Sequence, residues 1–451
     1  MRRVFQILAL ILCLFFAVIN LGNCVRADDD QIDGYVDSFR KSTKCNNVSV
    51  AVFDGEDVSF YGDSEGLYQI GSMTKAFTGL AIHKLMREGK LDLTSVVSEF
   101  IPNFSAIYDS TPYEITVEQL LTQTSGYNNS ESLYPSATSD MSLQDWALSM
   151  SGKELQSIPG ENYSYSNVNF DLLGAIIEKV SGISYKDYME SEILRPLGLN
   201  NTYVVVDPKD ENIIRGSKLG FRHAFEYEIP VIEGRIPAGY FYSNTKDMAR
   251  WIRIWLDIED IPDEYRELVR ETKSHLIDKE DYYSGWEVFD ECIGHSGGTP
   301  NYSSRIVFSD EKQVGVCVLT NLNVAASTDS LCNLIFSDLV SGKTTDILAD
   351  VWTIFDIIFT MVSVAGLLLA GFAIWTRKRI ALLISGIIIA LLVISILVVM
   401  PLVFGAGLKD IMFTWAPYSL IGAVVLLSAD LIIIGIRFWK LRKNADREKT
   451  S

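Results

Sequence analysis

Gly71-Ser72-Met73-Thr74-Lys75 is the stretch whose reading decides the fold. It reads as the mouth of a helix, with a serine hydroxyl at the first turn and a lysine three residues on. Residues i and i+3 share a helix face, so the lysine amine can reach the hydroxyl. Serine is a weak nucleophile until a neighbour takes its proton. The helix N-terminus adds positive partial charge where an anion would form. Ser-x-x-Lys occurs four times, at Ser38–Lys41, Ser72–Lys75, Ser243–Lys246 and Ser309–Lys312. Ser309 falls in a polar turn between two strand-like runs, Ser243 belongs to a helix start, and Ser38 lies in a short polar segment. Only Ser72 follows a strand pair and opens an amphipathic helix carrying Phe77, Leu80, Ala81 and Leu85 at helical spacing.

The rest of the chain sets where such a serine would work. Of 451 residues, 48% are hydrophobic, and the excess is localised. Arg2 and Arg3 precede an apolar run, and Val25-Arg26-Ala27 offers small or apolar residues where a signal peptidase reads, so residues 1–27 are expected to be a cleaved signal peptide. Three apolar runs, 351–375, 380–404 and 411–436, each exceed the roughly 20 residues that span a bilayer. Arg377-Lys378-Arg379 separates the first two, and a basic tail, 437–451, follows the third. Basic loops stay cytoplasmic, so the tail is expected inside and residues 28–350 outside. This divides the chain into a hydrolase domain at 28–342, a linker at 343–350 and a three-helix membrane domain at 351–436, in contact with lipid. Asp356 and Asp430 fall within apolar runs that offer no basic partner. Asp356 is read as lying near the outer surface and Asp430 as paired within the bundle.

The net charge is −18, which excludes nucleic acid as a partner, since phosphates require the opposite sign. His83, His223, His275 and His295 are widely separated and no Cys-x-x-Cys occurs, so neither a metal nor a cofactor is expected. Cys45, Cys292, Cys317 and Cys332 allow three pairings or free buried thiols.

Within the hydrolase domain, Val48-Ser49-Val50-Ala51-Val52-Phe53 alternates as a strand and Val58-Ser59-Phe60-Tyr61 returns. Arg305-Ile306-Val307-Phe308 and Val314-Gly315-Val316-Cys317-Val318-Leu319 form a second pair. Residues 76–285 read as mainly helical, as at 117–121, 169–180 and 245–256. Thr116 and Gln119 make a capping box for the first of these. Strands at both ends with helices between predict an α+β domain. One antiparallel sheet is closed by the two ends of the chain, with a helical subdomain inserted and a cleft between the two parts.

Two further elements complete a constellation. Tyr165-Ser166-Asn167 lies in a polar turn before a helix. A tyrosine acting as base near pH 7 must lose about 3 units of pKa, or about 4 kcal/mol. A helix dipole supplies at most about 2 kcal/mol, so a lysine has to supply much of the rest. Equally, Lys75 itself serves as the base if neutral, and the residues leave both readings open. Gly294-His295-Ser296-Gly297-Gly298 is a glycine-rich strand end. There, backbone N–H groups of Ser72 and Gly298 would form an oxyanion hole.

Together Ser72-Met73-Thr74-Lys75, Tyr165-Ser166-Asn167 and His295-Ser296-Gly297 resemble the three motifs of the class C β-lactamase-like serine hydrolases. These include penicillin-binding-protein-like D,D-carboxypeptidases, D-aminopeptidases and esterases. The resemblance covers about residues 35–340, including Leu194-Arg195-Pro196-Leu197-Gly198-Leu199 and Pro237-Ala238-Gly239. It implies the β-lactamase/transpeptidase-like fold and an acyl-enzyme on Ser72. It also implies activation by Lys75 and Tyr165, and substrate binding by Asn167, His295, Ser296 and Gly297. Gln123 stands where many members have histidine, and Asn169 where many have glycine. His295 replaces a lysine, a permanent cation, with a group mostly neutral at pH 7. Weaker, pH-dependent recognition of substrate anions is therefore expected. That favours a peptide, amide or ester of the cell envelope over a β-lactam. The alternative is a binding module or sensor on the same fold.

Overall fold

The computed structural model describes residues 32–128, 141–279 and 281–448. The signal-peptide reading lies outside the described residues. The chain divides into two compact units: one holds 32–217 and 226–348 of these residues, the other 218–225 and 349–448.

The first unit is built on a seven-stranded antiparallel sheet. Its strands are β1 (Val48–Phe53), β2 (Val58–Tyr61), β3 (Tyr282–Tyr283), β4 (Trp286–Phe289), β5 (Cys292–Thr299), β6 (Tyr302–Ser309) and β7 (Val314–Thr320). Their spatial order is β2-β1-β7-β6-β5-β4-β3. Pairing of β1 with β7, Val48 opposite Thr320, closes the sheet with the two ends of the domain, as the strand pattern predicts. The alternation in β1 implied one exposed face, yet all six of its residues are buried. Both faces are covered: Ala51 and Phe53 join Trp251 and Ile252 in the main core. Helices Ile32–Thr43 and Ala325–Ser341 pack on each other, and the latter on β6 and β7. Ser38–Lys41 thus belongs to a helix, not to a loose polar segment.

The inserted subdomain is mainly helical. Its central helix, α1 (Thr74–Arg87), is buried on nearly every side, so the expected amphipathic helix is a core helix. Against it lie α2 (Asn167–Ser181) and the short α3 (Ile236–Gly239). The Thr116–Gln119 capping box forms as read. Ser243 is not the cap of the following helix; Asn244 is. The 343–350 linker is partly tied down, since Ser330 and Ser327 hydroxyls bond the Asp346 and Leu348 carbonyls at 3.0 and 2.7 Å. Cys45, Cys292, Cys317 and Cys332 are all free thiols.

The second unit contains three helices long and apolar enough to cross a membrane: α4 (Val351–Trp375), α5 (Arg379–Phe404) and α6 (Tyr418–Glu448). The third apolar run does not start its helix at 411. Short turns occupy Leu408–Asp410 and Ile411–Trp415, and Pro417, which lacks an N–H, stands just before α6. The helix then continues through much of the basic tail. Asp356 is fully buried. It accepts from the Ser419 hydroxyl and the Arg222 backbone N–H, each at 2.8 Å. The Arg222 guanidinium lies 3.9 Å from it, a basic partner invisible within the apolar runs themselves. Asp430 differs from its reading, since its Oδ2 has no hydrogen-bond partner among the described residues.

Candidate active site

Ser72 sits in a 3₁₀ turn, Gly71–Met73, that leads into α1. Gly71 adopts φ +53°, and a Cβ there would lie 2.4 Å from the Gly298 nitrogen. Only glycine permits this approach of the serine turn to the β5 strand end. The approach brings two candidate oxyanion-hole positions, Ser72 and Gly298, onto neighbouring segments. Gly297 is equally constrained, since its own Cβ would meet the Ile70 carbonyl at 2.1 Å. Gly298 is exposed and faces open space.

Lys75 is fully buried, and three oxygens surround its Nζ: Ser72 Oγ at 3.0 Å, Asn167 Oδ1 at 2.6 Å and the Ala238 carbonyl at 2.6 Å. Two of these can only accept. They use two N–H groups and leave the third tetrahedral position of the nitrogen pointing at the serine hydroxyl. That position is an N–H if the amine is charged and a lone pair if it is neutral. Burial pushes the lysine well below its ordinary pKa.

Tyr165 lies within hydrogen-bonding reach of Ser72. Its ring is 5.0 Å from Lys75 Nζ. Burial drives the phenol well above its usual range, outweighing the Ser72 bond. Burial thus biases both groups toward their uncharged forms, the amine and the phenol.

The loop carrying Tyr165 and Asn167 is pinned by the two departures from the family pattern. Gln123 Oε1 accepts from the Ser166 N–H at 2.9 Å and from the Asn169 side-chain amide. Ser125 Oγ donates to Asn169 Oδ1 at 2.5 Å. The two unusual residues are thus hydrogen-bonded to each other, while Gln123 Nε2 has no hydrogen-bond partner among the described residues. Asn167, expected to position substrate, spends its carbonyl oxygen on Lys75.

His295 is buried, with Nδ1 2.6 Å from the Ser296 carbonyl and Nε2 3.4 Å from the Tyr282 hydroxyl. A carbonyl only accepts, so Nδ1 carries the proton and Nε2 accepts. Burial pushes the ring down to about 4. Burial thus holds His295 toward its neutral form near neutrality. Ser296 Oγ donates to Asp329 at 2.9 Å and accepts from Arg305 at 2.8 Å, and Arg305 also bonds Glu287 at 3.2 Å. Reading the sequence missed Tyr282, Arg305, Asp329 and the Ala238 carbonyl. Ala238 and Arg305 lay in stretches already singled out, Arg305 only as a strand residue. No group of His, Cys, Asp and Glu among the described residues forms a metal site.

An antiparallel sheet closed by the chain ends, a helical insertion and a Ser-x-x-Lys pair at their junction are the features of the β-lactamase/penicillin-binding-protein-like fold. The β-lactamase family model matches residues 32–334, and the chain belongs to this family. Protein flp of Staphylococcus aureus (strain COL) is 30% identical over 406 residues, covering 81% of this chain and 80% of that protein. A β-lactamase of Yersinia enterocolitica is 25% identical over 61% of this chain and 82% of its own length. Among solved structures, the octameric penicillin-binding protein homologue of Pyrococcus abyssi superposes with a TM-score of 0.61 at 25% identity, covering 73% of this chain and 80% of that one. The β-lactamase/D-alanine carboxypeptidase of Pseudomonas syringae shares the fold, with a TM-score of 0.57 at 16% identity over 70% of this chain and 98% of that one.

Proposed function

We propose that this protein is a membrane-anchored, extracytoplasmic serine hydrolase that forms an acyl-enzyme on Ser72. The observation that carries the reading is the buried Lys75 amine, 3.0 Å from Ser72 Oγ and with its other polar contacts made to acceptors. In acylation, the Ser72 proton passes to the Lys75 lone pair as Oγ attacks the substrate carbonyl. The resulting oxyanion is held by the N–H groups of Ser72 and Gly298. The leaving group takes a proton from the lysine, aided by the Tyr165 phenol. Water then cleaves the ester and frees the serine.

The substrate class is a peptide, amide or ester of the cell envelope. A neutral His295 offers no cation to a substrate carboxylate, and Arg305 is already engaged by Glu287 and Ser296. This disfavours efficient β-lactam hydrolysis, and rapid turnover of penicillins or cephalosporins would overturn it. Residues 1–27 act as the signal peptide, the three apolar helices anchor the chain in lipid, and the tail lies in the cytoplasm.

Mass spectrometry after exposure to a fluorophosphonate or β-lactam probe tests the chemistry. An adduct on Ser72, absent in Ser72→Ala, is the expected result. A chain that takes up neither probe covalently is instead a ligand-binding module or sensor on the same fold.

A further inference from the structure

Lys75 is held by two elements at once, through Asn167 Oδ1 on α2 and the Ala238 carbonyl on α3. One turn along each element stands a buried charge. Asp171 lies four residues after Asn167 on the same helix face, and Arg235 three residues before Ala238. The two meet, with Arg235 Nε 3.7 Å from Asp171 Oδ2. Trp146 Nε1 donates to the same oxygen at 2.9 Å. Asp171 Oδ1 has no hydrogen-bond partner among the described residues. The two elements are also in tight contact, since a Cβ on Gly174 would meet Pro237 Cγ at 2.2 Å. A fully buried pair at this separation contributes little net stability, and apolar side chains would fill the space as well.

We propose that Asp171 and Arg235 are positioning residues for Lys75. The pair ties α2 to α3 so that both acceptors face Nζ, and its two opposite charges set how readily the amine carries a proton. This rests on the reading of Lys75 as the group that takes the Ser72 proton. The carboxylate favours the ammonium form and the guanidinium disfavours it. Facing Lys75 are Ser72, Tyr165, Asp171, Arg235 and His295; facing Asp171 are Lys75, Arg235, Tyr165, Tyr185 and Tyr240, with Glu287 acting on Tyr165 and His295. The three tyrosines are pushed above their ordinary range and His295 is held down at about 4. That leaves Lys75, held well below its ordinary range, and Asp171, raised to about 6, as the titrating members of this set.

The test is the pH profile of Ser72 acylation by a fluorophosphonate, read by mass spectrometry on the full chain in detergent. The wild-type rate should rise along an acid limb as Lys75 loses its proton. Asp171→Asn should move that limb to lower pH by about one unit, because the charge favouring the ammonium is gone. Arg235→Gln should move it to higher pH, and Arg235→Lys should return it toward wild type. The Arg235 arm stands even if Asp171→Asn does not fold. Limbs that stay in place, or that move in the same direction while rate losses follow the melting temperature, would reduce the pair to a structural role and overturn the proposal. A wild-type chain unlabelled at Ser72 would remove the catalytic reading and this inference with it.

Discussion

Two buried ionisable side chains, Lys75 in the sheet-bearing unit and Asp356 among the apolar helices, show opposite uses of burial. Lys75 has two fixed acceptors and a serine hydroxyl around it, and its counter-charge, Asp171, is shared with Arg235. Nothing in that arrangement commits the third position of the nitrogen to a permanent N–H bond. Asp356 is met by two donors and a guanidinium. Each donor satisfies a carboxylate oxygen, and the result reads as an anchor for the 218–225 segment within its unit. Burial thus biases the amine toward its neutral form, while the other group serves as a hydrogen-bond acceptor. The choice lies in what surrounds each group, not in its depth.

The comparison breaks first at the catalytic end. Lys75→Met should lower Ser72 acylation by about 10³-fold or more, the upper range for loss of a positioned base. If the rate stays within tenfold of wild type, Lys75 is not the base. Tyr165→Phe should cost about 10–10² in the same assay, because a protonated phenol assists rather than abstracts. A tyrosine effect exceeding that of the lysine would reverse the assignment of base. At the other end, Asp356→Ala should destabilise the helical unit by about 1–3 kcal/mol, since it strands the Ser419 hydroxyl and the Arg222 N–H. Thermal unfolding in detergent measures this, and an unchanged melting temperature would show that the anchor carries no energy.

The smallest effect concerns acid stability. His295 titrates at about 4 in the folded chain against an ordinary 6.5, so the unfolded chain binds more protons between these values. Its contribution is present above the ordinary value and is lost as pH falls through that window. Asp171, raised to about 6, has the opposite sign, because the folded state holds its proton more tightly and this contribution fades as pH rises. Asp171→Asn removes the opposing member. The variant should therefore lose about 1–2 kcal/mol more than wild type between pH 6.5 and 4.5, seen as a larger fall in melting temperature. An equal fall in both proteins would contradict the opposed signs.

Much of the site was legible before any coordinates. Ser72 and Lys75 share a face by helical spacing alone. The Tyr165 turn and the His295 strand end were each recognisable from residue types packed into a few positions. The sheet closure between Val48–Phe53 and Val314–Thr320 was legible because strands at both ends with helices between leave few alternatives. Other features were not legible. Gln123 meeting Asn169, Asp171 meeting Arg235 and Arg222 meeting Asp356 join residues 46, 64 and 134 positions apart. No local pattern encodes such pairs. Asp171 had one faint signal, a carboxylate inside the apolar run from Val168 to Ile177, one turn after Asn167.

By itself, the sequence determined the nucleophile candidate, the order of the motifs and the three apolar helices, because helical spacing, turn chemistry and hydropathy act over a few residues. Only the tertiary structure set the surroundings that bias ionisation at the site. Whether Lys75 or Tyr165 gives up its proton, and whether His295 carries a charge, depends on desolvation and on partners brought together by folding. Those quantities do not exist until the chain is packed.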